Sequence, residues 1–476
     1  MTIHFFNARV SSKKSVLTLT ALSFALLLSG CGGADDSENV TPSQPNPPTV
    51  PDNSNPTDTN WQPVGGAATI AGDSYRPFLQ IIPNLPSREF SNVSTGRELF
   101  VAQWQPANQG QPLLDGLGPL FNANACTQCH SDSGRKAVYL ANGELSDAIL
   151  FRLGDKTGLA HADFGEQLQH QSIDASILPE GRVRFAPIAA TSTNPAGIQF
   201  HFTPSDSNQS LGATAMSGRI SPQLLGMGLL DLIPEADIIA ASNNAKKDGV
   251  KGRVHFVDDH GQKKVGRFGW KAINPSLRVQ NANAMSQDMG LTSSVFLAPN
   301  CTVNQSSCWT RPNGGSPEVS DSVLDAVTDF MTALAVPDRR IDNLATFNEG
   351  AQLFEDVGCA SCHTPKQKTG NSPRFALLAN QVIYPYTDLL LHDMGSELDD
   401  GVKEKSAQSF EWRTPPLWGI GITAKDPNAR FLHDGRASSI TEAILWHGGE
   451  ATTAKSRFEK LDDSKKQILL NFINRI

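Results

Sequence analysis

Apolar residues recur at helical spacing in two stretches of this chain, each closing one half of it. Val323, Leu324, Val327, Phe330, Met331 and Leu334 share one face after Ser320-Asp321-Ser322, a run suited to capping a helix. Ile468, Leu469, Phe472, Ile473 and Ile476 repeat the pattern after Asp463-Ser464. A further amphipathic segment holds Gly350-Ala351-Gln352-Leu353-Phe354, and Gly96-Arg97-Glu98-Leu99-Phe100 echoes it early in the chain. Arg219-Ile220-Ser221-Pro222-Gln223-Leu224-Leu225-Gly226-Met227-Gly228 parallels Arg413-Thr414-Pro415-Pro416-Leu417-Trp418-Gly419-Ile420-Gly421 with one residue inserted. The chain reads as a duplication. Pro337 ends the first closing helix and marks the boundary between the copies. The first copy is longer and less helical, and its RVHFVDDHGQKKVGRFGW alternates about the DDHGQ turn as a β-hairpin.

The N-terminal pattern is different. Val16 to Leu28 is mostly apolar but too short to span a bilayer, and Arg9, Lys13 and Lys14 precede it, as in an export signal. It ends in Leu28-Ser29-Gly30-Cys31, which resembles the lipobox of bacterial lipoproteins. The resemblance implies that residues 1–30 are a signal peptide and that Cys31 is lipidated. Gly32, where Asp would signal retention, resembles the lipoproteins sorted to the outer membrane. The expected location is the bacterial outer membrane, facing the periplasm, with the lipid as the sole membrane contact. Residues 31–60 are rich in Pro, Asn and other polar residues and read as an extended tether.

Composition narrows the partners. The chain has 476 residues, which favours two domains plus appendages, expected at 61–337 and 338–476. Lys and Arg total 40 against 48 Asp and Glu, a net charge of −8, so no basic face is available for nucleic acid. A hydrophobic content of 39% is enough for a buried core and excludes wholesale disorder.

Four of the 7 Cys fall into Cys126-Thr127-Gln128-Cys129-His130 and Cys359-Ala360-Ser361-Cys362-His363. Each fits C-x-x-C-H, in which two thiols add across the vinyl groups of a haem and the His becomes the proximal iron ligand. Zinc would need four ligands gathered in one place, and the two pairs lie far apart along the chain. Two covalently bound haems c are therefore expected. The expected fold is mainly α, with two cytochrome c-like haem domains, the first enlarged by loop-rich and partly β insertions. Cys301 and Cys308 bracket a short loop in an exported chain and are expected to form a local disulfide.

A haem iron has a second axial position, and what fills it separates a relay from a catalyst. Of the 11 His, His130 and His363 are the proximal pair, His4 lies in the export signal, and His255 and His260 on the hairpin read as surface residues. His161, His170, His201, His392, His433 and His447 remain. Phe431-Leu432-His433-Asp434-Gly435-Arg436, with the short helix up to His447, is similar to the C-terminal haem domain of bacterial di-haem cytochrome c peroxidases. Those enzymes carry a Met ligand fourteen positions beyond that His, and this chain has His447 there. The resemblance implies a bis-His, low-spin second haem held by His363 and His447, with His433 near its edge. It also implies a calcium bound by a Thr-x-Pro before the His-Asp-Gly. Here Asn428-Ala429-Arg430 departs from that pattern, which puts the calcium in doubt.

A sister group matches more fully. GPLFNANACTQCH, FGEQLQ, RISPQLLGMGLLDLIPEADI, GRFGWKA, DMGLT, LHDMG, EWRTPPLWGIG, FLHDGRA and EAILWHGGEA occur in the order found in the di-haem oxidoreductase family, also called thiol oxidoreductases. The resemblance runs from about Phe90 to the C-terminus. It implies a cytochrome c peroxidase-like oxidoreductase, although no spare Cys pair remains for thiol chemistry. The first copy lacks a His-Asp-Gly, so its haem either recruits a ligand from elsewhere or stays five-coordinate. His161, His170 and His201 are candidates for that ligand. Glu166 and Gln167 could supply polar groups beside an open iron, where O–O cleavage needs a proton acceptor and a donor. Trp270, Trp412 and Trp418 lie either between the haems or in the core. Electrons would enter at the second haem from a small c-type cytochrome or similar carrier, a basic one suiting the acidic charge. Hydrogen peroxide would be reduced at the first. The alternatives are a non-catalytic electron-transfer cytochrome and a peroxide-dependent oxidase of a partner protein.

Overall fold

The computed structural model of the chain describes residues 61–476 apart from 110–112, 141–143 and 193. The export signal, Cys31 and the tether lie outside the described residues. In chain order the helices used below are α1 (Ser87–Val101), α2 (Met227–Asp231), α3 (Leu277–Met289), α4 (Asp321–Thr332), α5 (Leu344–Val357), α6 (Ile420–Thr423), α7 (Ile440–Leu445) and α8 (Asp463–Ile473). The strands are β1 (Ile149–Gly154), β2 (Gly181–Ile188), β3 (Gly197–Pro204), β4 (Ala215–Ile220), β5 (Phe256–Asp259), β6 (Gln262–Val265), β7 (Leu391–Asp393) and β8 (Glu411–Arg413). No helix among the described residues is long and apolar enough to cross a membrane.

Two helix pairs repeat one design. Ser320 caps α4 by accepting the Val323 N–H, and Asp462 caps α8 through the Lys465 N–H. The apolar face of α4 packs on α1, where a methyl group at Gly96 would lie 1.8 Å from the Ala326 carbonyl oxygen. Phe100 then meets Phe330 with ring centroids 5.3 Å apart. In the second pair a methyl at Gly350 of α5 would lie 2.5 Å from Cβ of Phe472 on α8, and Phe354 meets Phe472 at 5.5 Å. The two G-x-x-x-F segments are thus the close-approach faces of equivalent helix crossings.

The Arg219 and Arg413 repeats meet each other at the centre. Gly226 caps α2 at φ +61° and Gly419 caps α6 at φ +71°, a backbone region that glycine enters without penalty. A side chain at Gly226 would run into the Trp418 ring, and one at Gly419 into Leu225. Gln223 joins the same contact, donating to the Trp418 carbonyl at 2.6 Å and accepting from Thr423 at 2.7 Å. Leu225, Phe330, Trp418 and Phe472 belong to one hydrophobic cluster, so residues on both sides of Pro337 share a core. The described residues from Trp61 to Ile476 accordingly belong to one compact unit. Its N-terminal strand Thr69–Ile70 pairs in parallel with Val336–Pro337, and Trp61 packs edge-on against Phe347 of the second half.

The expectation of a mainly α chain is corrected. The fold is mixed, with α-helices and several two-stranded sheets. β1 pairs with β4 over six residues, and β2 with β3 over eight. Ile149, Phe151 and Leu153 alternate inward from β1 onto Phe164 and Leu168, a small core of their own. β5 and β6 form the expected hairpin, turning at His260-Gly261. His255, expected at the surface, is buried. It precedes the hairpin proper, and its Nδ1 lies 2.7 Å from the Lys271 carbonyl oxygen. Cys301 and Cys308 are disulfide-bonded. Glu180 braces this loop, accepting from Gln305 at 2.6 Å and from the Gln169 N–H at 2.6 Å.

Two stability predictions follow from these contacts. Gly96→Val or Gly350→Val should each cost about 1–3 kcal/mol, read as a lowered midpoint in denaturant titration, because backbone or a core ring must move. Burial pushes the Glu180 carboxyl up to about 8 from its usual 4.5. The folded state therefore keeps a proton that the unfolded chain has released, and stability falls as pH rises through that window. Glu180→Gln should flatten the fall, measured as denaturation midpoints at about pH 5 and about pH 9.

Candidate cofactor pockets

Both C-x-x-C-H segments fold alike. A single 3₁₀ turn spans Cys126–Gln128 in one and Cys359–Ser361 in the other. In each, the His N–H donates to the carbonyl of the first Cys at 2.9 Å. The turn brings both thiols and the imidazole to the wall of one cavity. The cavity beside Cys126, Cys129 and His130 encloses about 1730 Å³, and that beside Cys359, Cys362 and His363 about 1560 Å³, open mouths included.

In the second pocket His363 faces company. His447, at the end of α7, lines the same cavity. Each imidazole commits its Nδ1 to a backbone carbonyl, His363 to Tyr386 at 3.0 Å and His447 to Ala443 at 2.7 Å. Among the described residues neither Nε2 has a hydrogen bond. Burial lowers both pKa values, that of His363 to about 4, with His447 as the next cause. Neutral imidazoles with one nitrogen bonded to a carbonyl are the form that ligates a metal. Burial likewise pushes the Cys359 thiol up to about 12. His433 is buried on the same wall and stacks on Trp412 at 3.7 Å, the rings 12° apart. Burial, then Arg219, Arg436 and Lys271, hold its pKa well below the usual value.

The first pocket is asymmetric to this. His130 is buried, and burial lowers its pKa to about 4 against the opposing effect of the Gly134 and Pro222 backbone. Among the described residues no second His lines this cavity. His161 stacks on Phe164 at 4.7 Å with its Nε2 against the Ser210 carbonyl, His170 pairs with Asp147 at 3.3 Å, and His201 is exposed on β3. None of the three is on the wall. Glu166 also points away, exposed and paired with Arg152 at 3.1 Å. Gln167 is on the wall, donating to Asp288 Oδ1 at 2.8 Å and to the Gln287 carbonyl at 2.9 Å.

Asp288 escaped the sequence reading. It sits on α3, whose Asn281, Ala284 and Met285 line the cavity with it. The 281–284/285–288 spacing marks one helix face and was the available signal. Burial pushes the Asp288 carboxyl up to about 6, poising it between its protonated and ionised forms near neutral pH.

The two cavities share a wall made by Arg135, Trp270, Arg413, Pro415 and Pro416. Trp270 donates from its indole to the Ile220 carbonyl at 2.9 Å. Trp412 lines the second pocket alone, and Trp418 lies in the core on neither wall. Arg413 and Arg135 are buried, and burial pushes both guanidiniums down to about 10. Arg413 donates to the Gly269 and Thr414 carbonyls and Arg135 to that of Arg430, but neither forms an ion pair among the described residues. Buried cations without carboxylate partners suit an occupant that brings its own carboxylates.

The chain matches the family described as "Di-haem oxidoreductase, putative peroxidase" over residues 59–150 and 202–476. It belongs to this family. Haem is therefore the implied cofactor of this di-haem oxidoreductase, and the paired thiols, neutral imidazoles and unpaired guanidiniums of the cavities fit it. Residues 151–201, which hold Glu166, Gln167, His161, His170 and His201, fall outside the matched stretches. Among solved structures a hydrazine synthase of Kuenenia stuttgartiensis is similar, at 13% identity and a TM-score of 0.36, over 88% of this chain and 97% of that one. No curated protein matches.

Proposed function

We propose that this di-haem oxidoreductase binds two haems c covalently, takes up electrons at the second pocket and reduces hydrogen peroxide at the first. The observation that carries this reading is the asymmetry of the two cavities. One is lined by His363 and His447, each held through Nδ1 by a backbone carbonyl, and by His392 and His433, while among the described residues the other carries His130 alone. Cys126 and Cys129 would anchor one haem, and Cys359 and Cys362 the other. The bound haems would supply electron storage and an iron able to take peroxide to two waters with two electrons and two protons.

The chain's own residues supply the rest. His363 and His447 would together hold the iron of the second haem, which suits that pocket to electron transfer. At the first, Asp288 is the wall carboxyl poised to exchange a proton, and Gln167 orients it by donating to Oδ1. Trp270, on the common wall, is the aromatic ring that borders both pockets. A lipid anchor at Cys31 would hold the protein on the outer membrane, facing the periplasm. The donor would be a small c-type cytochrome, and the charge of −8 favours a basic one. A non-catalytic relay is the second reading, favoured by Met227, Met285, Met289 and Met331 on the first wall, whose thioethers are haem-ligand chemistry.

Electron paramagnetic resonance on the holoprotein, oxidised and after one-electron reduction, separates the two. Peroxide reduction requires a high-spin ferric signal in one of these states that peroxide abolishes. Two low-spin signals indifferent to peroxide would leave the relay. Intact mass of the purified chain should exceed that of the polypeptide by two haems, and by one after Cys126→Ala/Cys129→Ala.

A further inference from the structure

A buried charged bridge fastens the loop carrying His447 to the segment carrying Cys362 and His363. His392 on β7 is 2% exposed, and both its ring nitrogens face carboxylates. Its Nε2 lies 2.9 Å from Asp388 Oδ2 and its Nδ1 2.7 Å from Glu450 Oε2. Lys246 donates to the same Asp388 oxygen at 2.5 Å. Two cations thus meet two carboxylates, and every charge in the bridge is paired. Burial opposes a charged imidazole here, but the bonds to Asp388, Cys362 and Glu450 outweigh it and raise the pKa of His392 well above the usual value.

The ends of the bridge are attached to the two sides of the second pocket. The Asp388 N–H donates to the Cys362 carbonyl at 3.1 Å, and Asp388 follows closely on Tyr386, whose carbonyl holds His363. At the other end Glu450 lies just beyond His447 and also accepts from the Lys251 and Gly252 N–H groups, at 3.2 and 3.1 Å. Between them Gly449 is pressed so close to β7 that a methyl there would lie 2.2 Å from the Asp393 carbonyl oxygen. The helix that delivers His447 offers little hold by itself. α7 has six residues and none is fully buried.

We infer that Glu450 and His392 are positioning residues. The Asp388–His392–Glu450 bridge sets the separation of the two imidazoles across the second pocket, and thereby how firmly His447 is held as an axial ligand. The inference rests on the proposed ligand role of His447.

Glu450→Gln tests it in the holoprotein, because Glu450 is half-buried and the amide keeps the size of the side chain. Carbon monoxide binding to the fully reduced protein, and the low-spin resonance of the oxidised second haem, are the readouts. The variant should bind carbon monoxide at the second haem about ten-fold faster and shift that resonance, leaving the first haem's signal unchanged. His392→Gln should act in the same direction. Wild-type binding rate and resonance in Glu450→Gln would overturn the inference. His447→Ala, measured alongside, separates the two claims. If it leaves the low-spin resonance intact, the ligand reading fails and takes the inference with it. If it abolishes that resonance while Glu450→Gln changes nothing, the positioning role alone fails.

Discussion

The reciprocal contact between the two Arg-x-x-Pro repeats governs where everything else can sit. Gly226 lies under the ring of Trp418 and Gly419 under the side chain of Leu225, with Gln223 and Thr423 hydrogen-bonded across the same seam. Neither side admits a larger residue at its glycine, so the repeats have little freedom to slide. Each repeat also runs along a cavity wall: Ser221 to Leu224 line the first pocket, and Arg413 to Leu417 the second. Ser221 then donates to the Cys129 carbonyl at 2.7 Å, and the Thr414 N–H to that of Leu390 at 3.0 Å. The spacing of the two pockets is therefore a consequence of this seam.

Around it the duplication has diverged in a chemically consistent way. The second copy has a short helix after its repeat, and that helix brings His447 to the wall of the cavity that His363 also lines. In the first copy α2 is followed by Glu235–Asn243 instead, and the facing wall comes from α3, with amides, a carboxyl and thioethers. One pocket thus gathers several imidazoles, the other a carboxyl, amides and thioethers beside His130. The shared wall of Arg135, Trp270 and Arg413 joins them, and among the described residues neither guanidinium forms an ion pair. Buried guanidiniums left in that state are costly, and an anionic cofactor edge would relieve them.

Much of the frame was legible along the chain. The apolar faces of α4 and α8 follow the helical period, and both caps stand where short polar runs precede them, within one residue for α8. The β2–β3 hairpin was harder to see. Its alternating residues are only half-buried, so no strongly apolar face marks it, and Pro187 gives it the look of a loop. His255 was misjudged for a related reason. It lies one residue before β5, where the pattern of the hairpin no longer sets the direction of a side chain.

The sequence by itself determined which thiols and imidazoles stand together, because two Cys and a His within five consecutive residues need only one local turn to line a common wall. Resemblance to the di-haem cytochrome c peroxidases singled out His447, fourteen positions beyond His433. Only the tertiary structure decided the walls of the first pocket. Gln167 and Asp288 come from segments far apart in the chain and meet through packing, while His161, His170 and His201 are drawn onto other partners. Local spacing is dictated by backbone geometry, whereas the company a side chain keeps across the fold depends on how whole elements pack.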